Sequence, residues 1–111
     1  MDYRQIIWVG DSRKSIREFP VLVKQRTGRE LARVQDGLDP VDWKPMPSVG
    51  LGVREIRVRL EGSFRVIYLA KFSEAVYVLH AFEKKTQQTA KRDIDLARNR
   101  FRTLIAERKL R

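Results

Sequence analysis

Residues 53–85, VREIRVRLEGSFRVIYLAKFSEAVYVLHAFEKK, hold three runs rich in β-branched and aromatic residues, 53–60, 64–72 and 75–82. Composition of this kind favours strands, and Glu61-Gly62-Ser63 and Ser73-Glu74 between the runs supply the turns, so the stretch reads as a β-meander. Side chains alternate faces along a strand, and a one-residue slip reverses a whole strand. The apolar pattern therefore sets the register. A three-residue first turn containing Gly62 places Leu60 opposite Phe64, Val58 opposite Val66 and Ile56 opposite Tyr68, which makes one continuous apolar face with Arg59 opposite Arg65. A two-residue turn at Glu61-Gly62 would mix arginines into both faces. With Ser73-Glu74 as a two-residue loop, Tyr77, Leu79 and Ala81 join the apolar side, and His80 and Phe82 lie beside Ile67 and Arg65. One face is then core, while the other carries Arg57, Arg59, Arg65, His80 and Phe82. In this register Arg65 crosses no core, so its loss is expected to spare the fold.

A chain of 111 residues with 42% hydrophobic content suits one domain with one core. Residues 1–111 are read as a single domain. No run approaches the ~20 apolar residues of a membrane span, and MDYRQIIWVG lacks the basic and apolar segments of a signal peptide, so a cytoplasmic protein without membrane contact is expected. Absence of cysteine excludes disulfides and thiolate chemistry, and one histidine argues against a zinc site. Metal-independent chemistry without a cofactor follows. Net charge is +10, and residues 84–111 contribute +7 of it, from ten Lys/Arg against three Asp/Glu. That asymmetry points to phosphate-bearing or acidic partners.

Ahead of the meander, residues 5–9 (QIIWV) read as a short strand whose place in the sheet is not fixed by the pattern. Asp11 or Ser12 caps a short helix through Glu18. Pro20 fits the first turn of a second helix that runs to about Asp36 and stops at Gly37. Val23, Thr27, Leu31 and Val34, followed by Leu38, form its core stripe, with Lys24, Arg26, Arg29 and Arg33 mainly outside. Residues 37–52 contain Pro40, Pro45, Pro47, Gly50 and Gly52 and read as a loop anchored by Trp43, Met46 and Leu51, with Trp43 packed under the helices. After Phe82, Ala90, Ile94, Ala97, Phe101 and Leu104 recur at helical spacing, giving a final helix from about Thr89, its cap, to Arg108. Its stripe is expected to cover Ile67, Leu69, Val76 and Val78, with Lys91, Arg98, Arg102 and Arg108 outside. The fold class is α+β: an antiparallel sheet with a three-strand meander, two N-terminal helices and one C-terminal helix, in the order β-α-α-β-β-β-α.

Guanidinium and ammonium groups beside one aromatic ring and one imidazole suit a phosphodiester. Such a set can also cleave RNA, whose 2′-hydroxyl is a built-in nucleophile: the protein must align it, accept its proton and stabilise charge on the phosphorane. Arginine suits the last task, and a lysine crowded by cations can exchange protons, which draws attention to Lys84 and Lys85.

GVREIR (52–57), FRVIY (64–68) and LHAFEKKTQQTAKRDIDLARNR (79–100), in this order and spacing, resemble the phage-derived Gp49-like group of the RelE/HigB toxin superfamily. The resemblance implies a microbial RNase-like fold and a type II toxin. Such a toxin is a ribosome-dependent endonuclease that cuts mRNA and is silenced by a cognate antitoxin protein. It also implies roles for single residues. Arg65 matches the strand arginine that contacts the scissile phosphate; Arg57 falls at the cleft; Lys84 and Lys85 match the basic pair after the last strand. His80 is a candidate base, while Arg59, Phe82 and Lys91 are candidate RNA contacts. Some relatives carry a C-terminal tyrosine near the phosphate, and no tyrosine follows Tyr77 here, so the general base is unassigned. A non-catalytic nucleic-acid-binding module and a phage-type assembly protein are the competing readings.

Overall fold

The computed structural model describes residues 3–110. Its elements are β1 (Gln5–Trp8), α1 (Ser12–Arg17), α2 (Val21–Gln35), β2 (Trp43–Pro45), β3 (Val53–Arg59), β4 (Ser63–Leu69), β5 (Ala75–Glu83) and α3 (Lys91–Lys109). The sheet order is β1-β5-β4-β3-β2, antiparallel except for β1, which pairs in parallel with β5 at the edge. The meander is therefore the centre of an α+β fold, with one strand more than the sequence suggested. The addition is β2, where Trp43 pairs with Ile56 and Pro45 with Arg54 inside the segment read as loop. Prolines at 45 and 47 hid it; Pro45 is tolerated because β2 lies at the sheet edge.

The first hairpin differs from expectation by two residues. Arg59 pairs with Ser63, so the loop is Leu60-Glu61-Gly62, and Arg57 rather than Arg59 lies opposite Arg65. Positive φ at Glu61 (55°) and Gly62 (131°) makes both of them turn residues, so the loop closes at Gly62 and Ser63 opens β4. A shift of two preserves the faces: Ile56, Val58, Leu60, Phe64, Val66 and Tyr68 all pack in one cluster.

The second hairpin holds the expected pairs Arg65 with Phe82, Val66 with Ala81 and Ile67 with His80, and then shifts, with Tyr68 opposite Val78. Leu79 is thus an extra residue, a β-bulge, which exchanges the faces of the rest of β5. Val76 and Val78 join the cluster under α1 and α2, together with Ile16, Val23, Leu31 and Val34. Tyr77 and Leu79 instead join Ile67, Leu69, Val53, Ala97 and Leu104 under α3. The expected cover of Ile67 and Leu69 by α3 is found; that of Val76 and Val78, and the placement of Tyr77 and Leu79 on the apolar face of Val58 and Val66, are corrected.

Helix α2 buries Val23, Thr27, Leu31 and Val34 as its stripe predicts, whereas Leu38, beyond the stop at Gly37 (φ 82°), is exposed. Leu51 is exposed too, whereas Met46 is a buried anchor as expected and Val49 takes the place of Leu51 beside it. Trp43 is half-buried on β2 with the Arg54 guanidinium 4.1 Å above its ring, not packed under the helices. Ala90, not Thr89, occupies the cap position of α3, and Asp11 caps α1 without a side-chain hydrogen bond. Gly50 lets Phe101 approach: a Cβ there would meet the ring at 2.3 Å. Gly50→Ala is expected to cost about 1–3 kcal/mol in urea unfolding, because the ring would have to leave its packed position.

The far end of α3 is tied to the second turn. Arg108 donates to both oxygens of Glu74 at 2.8 and 3.1 Å and lies over the Phe72 ring, and Tyr77 donates to Glu74 at 2.7 Å. Those bonds, Arg108 first, hold the Glu74 carboxyl down at about 2. A depressed carboxyl contributes stability that is complete above its unfolded value of 4.5 and fades as pH falls toward 2. Glu74→Gln is accordingly expected to lower the melting temperature at pH 7, with the gap to wild type closing between those values. No helix among the described residues is long and apolar enough to cross a membrane.

Candidate nucleic-acid interface

Alternation along β3 puts Glu55, Arg57 and Arg59 on the face shared with α3, and the register brings Arg65 opposite Arg57 and Phe82 opposite Arg65. The apolar half of this face, around Ile67 and Leu69, lies under α3, and the charged half lies toward the β3–β4 turn. Three strands and the segment after β5 thus contribute to one basic end of the sheet.

Arg65 does not stand free on that face. It is 4% exposed, Nη1 donates to Ser63 Oγ at 2.9 Å and to the Phe64 carbonyl at 3.1 Å, and Nε lies 3.3 Å from Glu55 Oε1. Nη2 is left without a hydrogen bond among the described residues. The expectation that Arg65 crosses no core is therefore corrected: the side chain lies in the sheet surface as half of a buried ion pair. Glu55 is 1% exposed, and neither carboxylate oxygen has a hydrogen-bond partner among the described residues, although Lys44 Nζ stands 3.9 Å from Oε1. Burial pushes the Glu55 carboxyl up, against the opposing pull of Arg65, Lys44, Arg57 and Lys84. Burial likewise lowers the Arg65 guanidinium, with Glu55 opposing and Arg59 and Arg57 reinforcing.

The other two strand arginines share one acid. Arg57 is 2.9 Å from Asp42 and Arg59 is 3.9 Å from it, with the Arg59 side chain 63% exposed. Lys84 is fixed through its backbone, whose N–H donates to Ser63, and its Nζ donates to the Gln87 carbonyl. Lys84 and Lys85 have no carboxylate partner among the described residues. With Phe82 and Asp93 they line a cavity of about 120 Å³ where β5 gives way to α3.

His80 is on the expected face but is claimed by α3: Nε2 is 2.8 Å from Asp93, the ring stacks on Phe82 at 5.0 Å, and Nδ1 is buried without a hydrogen-bond partner among the described residues. Lys91 does not join the group; it pairs with Asp95 one turn along α3. The structure therefore brings Arg57, Arg59, Arg65, Phe82, Lys84, Lys85 and His80 to one end of the sheet and leaves Lys91 aside. Among the described residues no group of three or more His, Asp or Glu could hold a metal ion.

Four participants went unread in the sequence: Glu55, Lys44, Asp42 and Asp93. Glu55 was detectable, since it shares the parity of Arg57 and Arg59 and is the acid of that charged face. Lys44 and Asp42 required the edge strand, and Asp93 required the docking of α3.

No curated protein matches the chain at a significant level. One family model does, that described as "Phage derived protein Gp49-like (DUF891)", over residues 14–102, which include α2, the whole sheet except β1, and the body of α3. The chain belongs to this Gp49-like family of phage-derived proteins.

Proposed function

We propose that the protein is the toxin of a type II toxin–antitoxin pair, a metal-independent endoribonuclease that cuts mRNA on the ribosome in the cytoplasm. The observation that carries the reading is the gathering of Arg57, Arg59, Arg65, Lys84 and Lys85 at one end of the sheet of a Gp49-like chain. In this reading the free Nη2 of Arg65 and the ammonium groups of Lys84 and Lys85 meet the scissile phosphate, and Phe82 presents a ring to a base. The substrate's 2′-hydroxyl gives its proton to water as its oxygen attacks phosphorus, the cations hold the charge of the phosphorane, and the bond to the 5′-oxygen breaks, leaving a 2′,3′-cyclic phosphate and a 5′-oxygen that takes a proton from water. A strong general base is missing from the exposed set, so alignment by the ribosome supplies much of the rate. Purified protein is expected to cut translated mRNA far faster than naked mRNA. Equal rates would remove the ribosome from the proposal, and absence of cleavage on both, with growth unaffected on expression, would remove the enzyme.

A basic surface of this size calls for a cover when the toxin is idle. The antitoxin is proposed to lay an acidic segment over Arg57, Arg59 and the two lysines, and its affinity is expected to fall with salt. Affinity independent of ionic strength would count against that surface as the contact.

A further inference from the structure

A second charged cavity lies away from the basic face, at the opposite end of β4. It is about 300 Å³ and is lined by Arg4, Asp39, Arg54, Tyr68 and Lys71 among others. We infer that this cavity is a binding site for a phosphate group, carried by inorganic phosphate or by a small phosphate monoester. It stands independently of the proposed nuclease function.

Three observations carry it. Tyr68 lines the cavity and is 1% exposed, and its buried hydroxyl donates to no acceptor among the described residues. The Arg54 guanidinium meets the phenolic oxygen as a donor and has no lone pair to offer, so the phenolic hydrogen lacks an acceptor among the described residues. A buried hydroxyl without an acceptor is unfavourable, and a phosphate oxygen would relieve it. Burial also raises the Tyr68 phenol, keeping it a donor at neutral pH.

The charge matches a dianion: Arg4, Arg54 and Lys71 against Asp39 leave a net two positive charges around the space. Arg4 is spent as a donor on the carbonyls of Ala70, Phe72 and Val34, but its charge remains and offsets the negative C-terminal end of α2. Arg54 is steadied from both sides, by Asp39 at 2.8 Å and by the Trp43 ring at 4.1 Å.

Finally, the backbone makes room for the lysine. Gly52 has φ +84°, and a Cβ there would stand 2.8 Å from Lys71 Cδ, so a side chain would push Lys71 off the rim. An arginine fork, an ammonium and a phenolic hydroxyl are donors of three different shapes, which suits a tetrahedral oxyanion better than a flat carboxylate.

The test is an NMR titration of the full chain with inorganic phosphate, with adenosine 5′-monophosphate and with acetate. Phosphate is expected to shift the amides of Gly52, Tyr68 and Lys71 saturably, and acetate to leave them in place. Tighter binding of the monophosphate would identify an ester as the natural source, and binding of phosphate alone would identify the free ion; either result supports the site. Tyr68→Phe, which deletes one oxygen, and Lys71→Ala, which alters an exposed side chain, are each expected to weaken binding about tenfold. The inference is overturned if neither phosphate nor monophosphate shifts these amides, if shifts are confined to Arg57, Arg59 and Lys84, or if both variants bind as wild type does.

Discussion

Arg65→Ala is expected to destabilise the protein by about 3–5 kcal/mol, because it strands the Glu55 carboxylate in a site with almost no water. The paired side chains are 5% and 1% exposed, so solvent screening offers little relief. Lys44 is the nearest remaining cation at 3.9 Å, and its half-exposed side chain cannot replace a guanidinium held by Ser63 and Phe64. Replacing both partners with apolar residues, Arg65→Met with Glu55→Leu, should recover most of the loss, since a buried pair that is removed whole leaves no orphan charge. Urea unfolding of wild type, both single variants and the double variant provides the cycle. A loss below about 1 kcal/mol for Arg65→Ala, or a double variant no better than the sum of the singles, would show that the pair carries no such coupling.

That result bears on what the sequence revealed. Alternation in VREIRVRL and SFRVIYLA assigned every residue of β3 and β4 to its correct face, because a register error of two leaves parity unchanged. The same error gave Arg65 the wrong neighbour, Arg59 for Arg57, and neighbours decide electrostatics. Helices α2 and α3 were legible because their stripes, Val23 to Val34 and Ile94 to Leu104, repeat at helical spacing over several turns. The bulge at Leu79 was not legible. Both registers of β5 bury apolar residues, since VYVL offers valines to one face and Tyr77 with Leu79 to the other, so pattern alone had no means to choose. Nor was β2, three residues long and ending in proline, whose pairing depends on β3 being present.

For the charged face, residue type identified the cations but not their acids. Arg57 and Arg59 read as free charges in sequence, and both meet Asp42, which lies 15 residues before Arg57 and reaches them only because β2 folds onto β3. The counter-ions bear on the proposed function: a phosphate bound at this face would compete with Asp42 for Arg57 and with Glu55 for Arg65. The groups free of that competition are Lys84 and Lys85, which lie in the stretch where the sequence concentrates its positive charge; Arg111, also counted in that stretch, lies outside the described residues.

Under the proposed nuclease function, Arg65→Lys separates the structural duty of the side chain from its proposed catalytic one, and is expected to lower mRNA cleavage about a hundredfold, close to 3 kcal/mol of transition-state stabilisation, while keeping the fold. In the native protein Nε faces Glu55 and Nη1 is held by Ser63 and Phe64, so the planar guanidinium fixes the direction of its third nitrogen, Nη2. An ammonium keeps a positive charge near Glu55 and therefore spares most of the stability that Arg65→Ala loses. It cannot hold two protein contacts and aim a rigid third donor, because its hydrogens swivel about a single nitrogen. Single-turnover cleavage of mRNA on ribosomes, read beside urea unfolding of the same preparations, measures both duties. Activity within about threefold of wild type in a well-folded Arg65→Lys protein would show that a point charge suffices and that Nη2 is not the phosphate contact. Activity and stability falling together would show instead that the ammonium fails as the partner of Glu55. A large fall in activity with stability mostly retained is the result expected if Nη2, which makes no hydrogen bond among the described residues, is the phosphate contact proposed above.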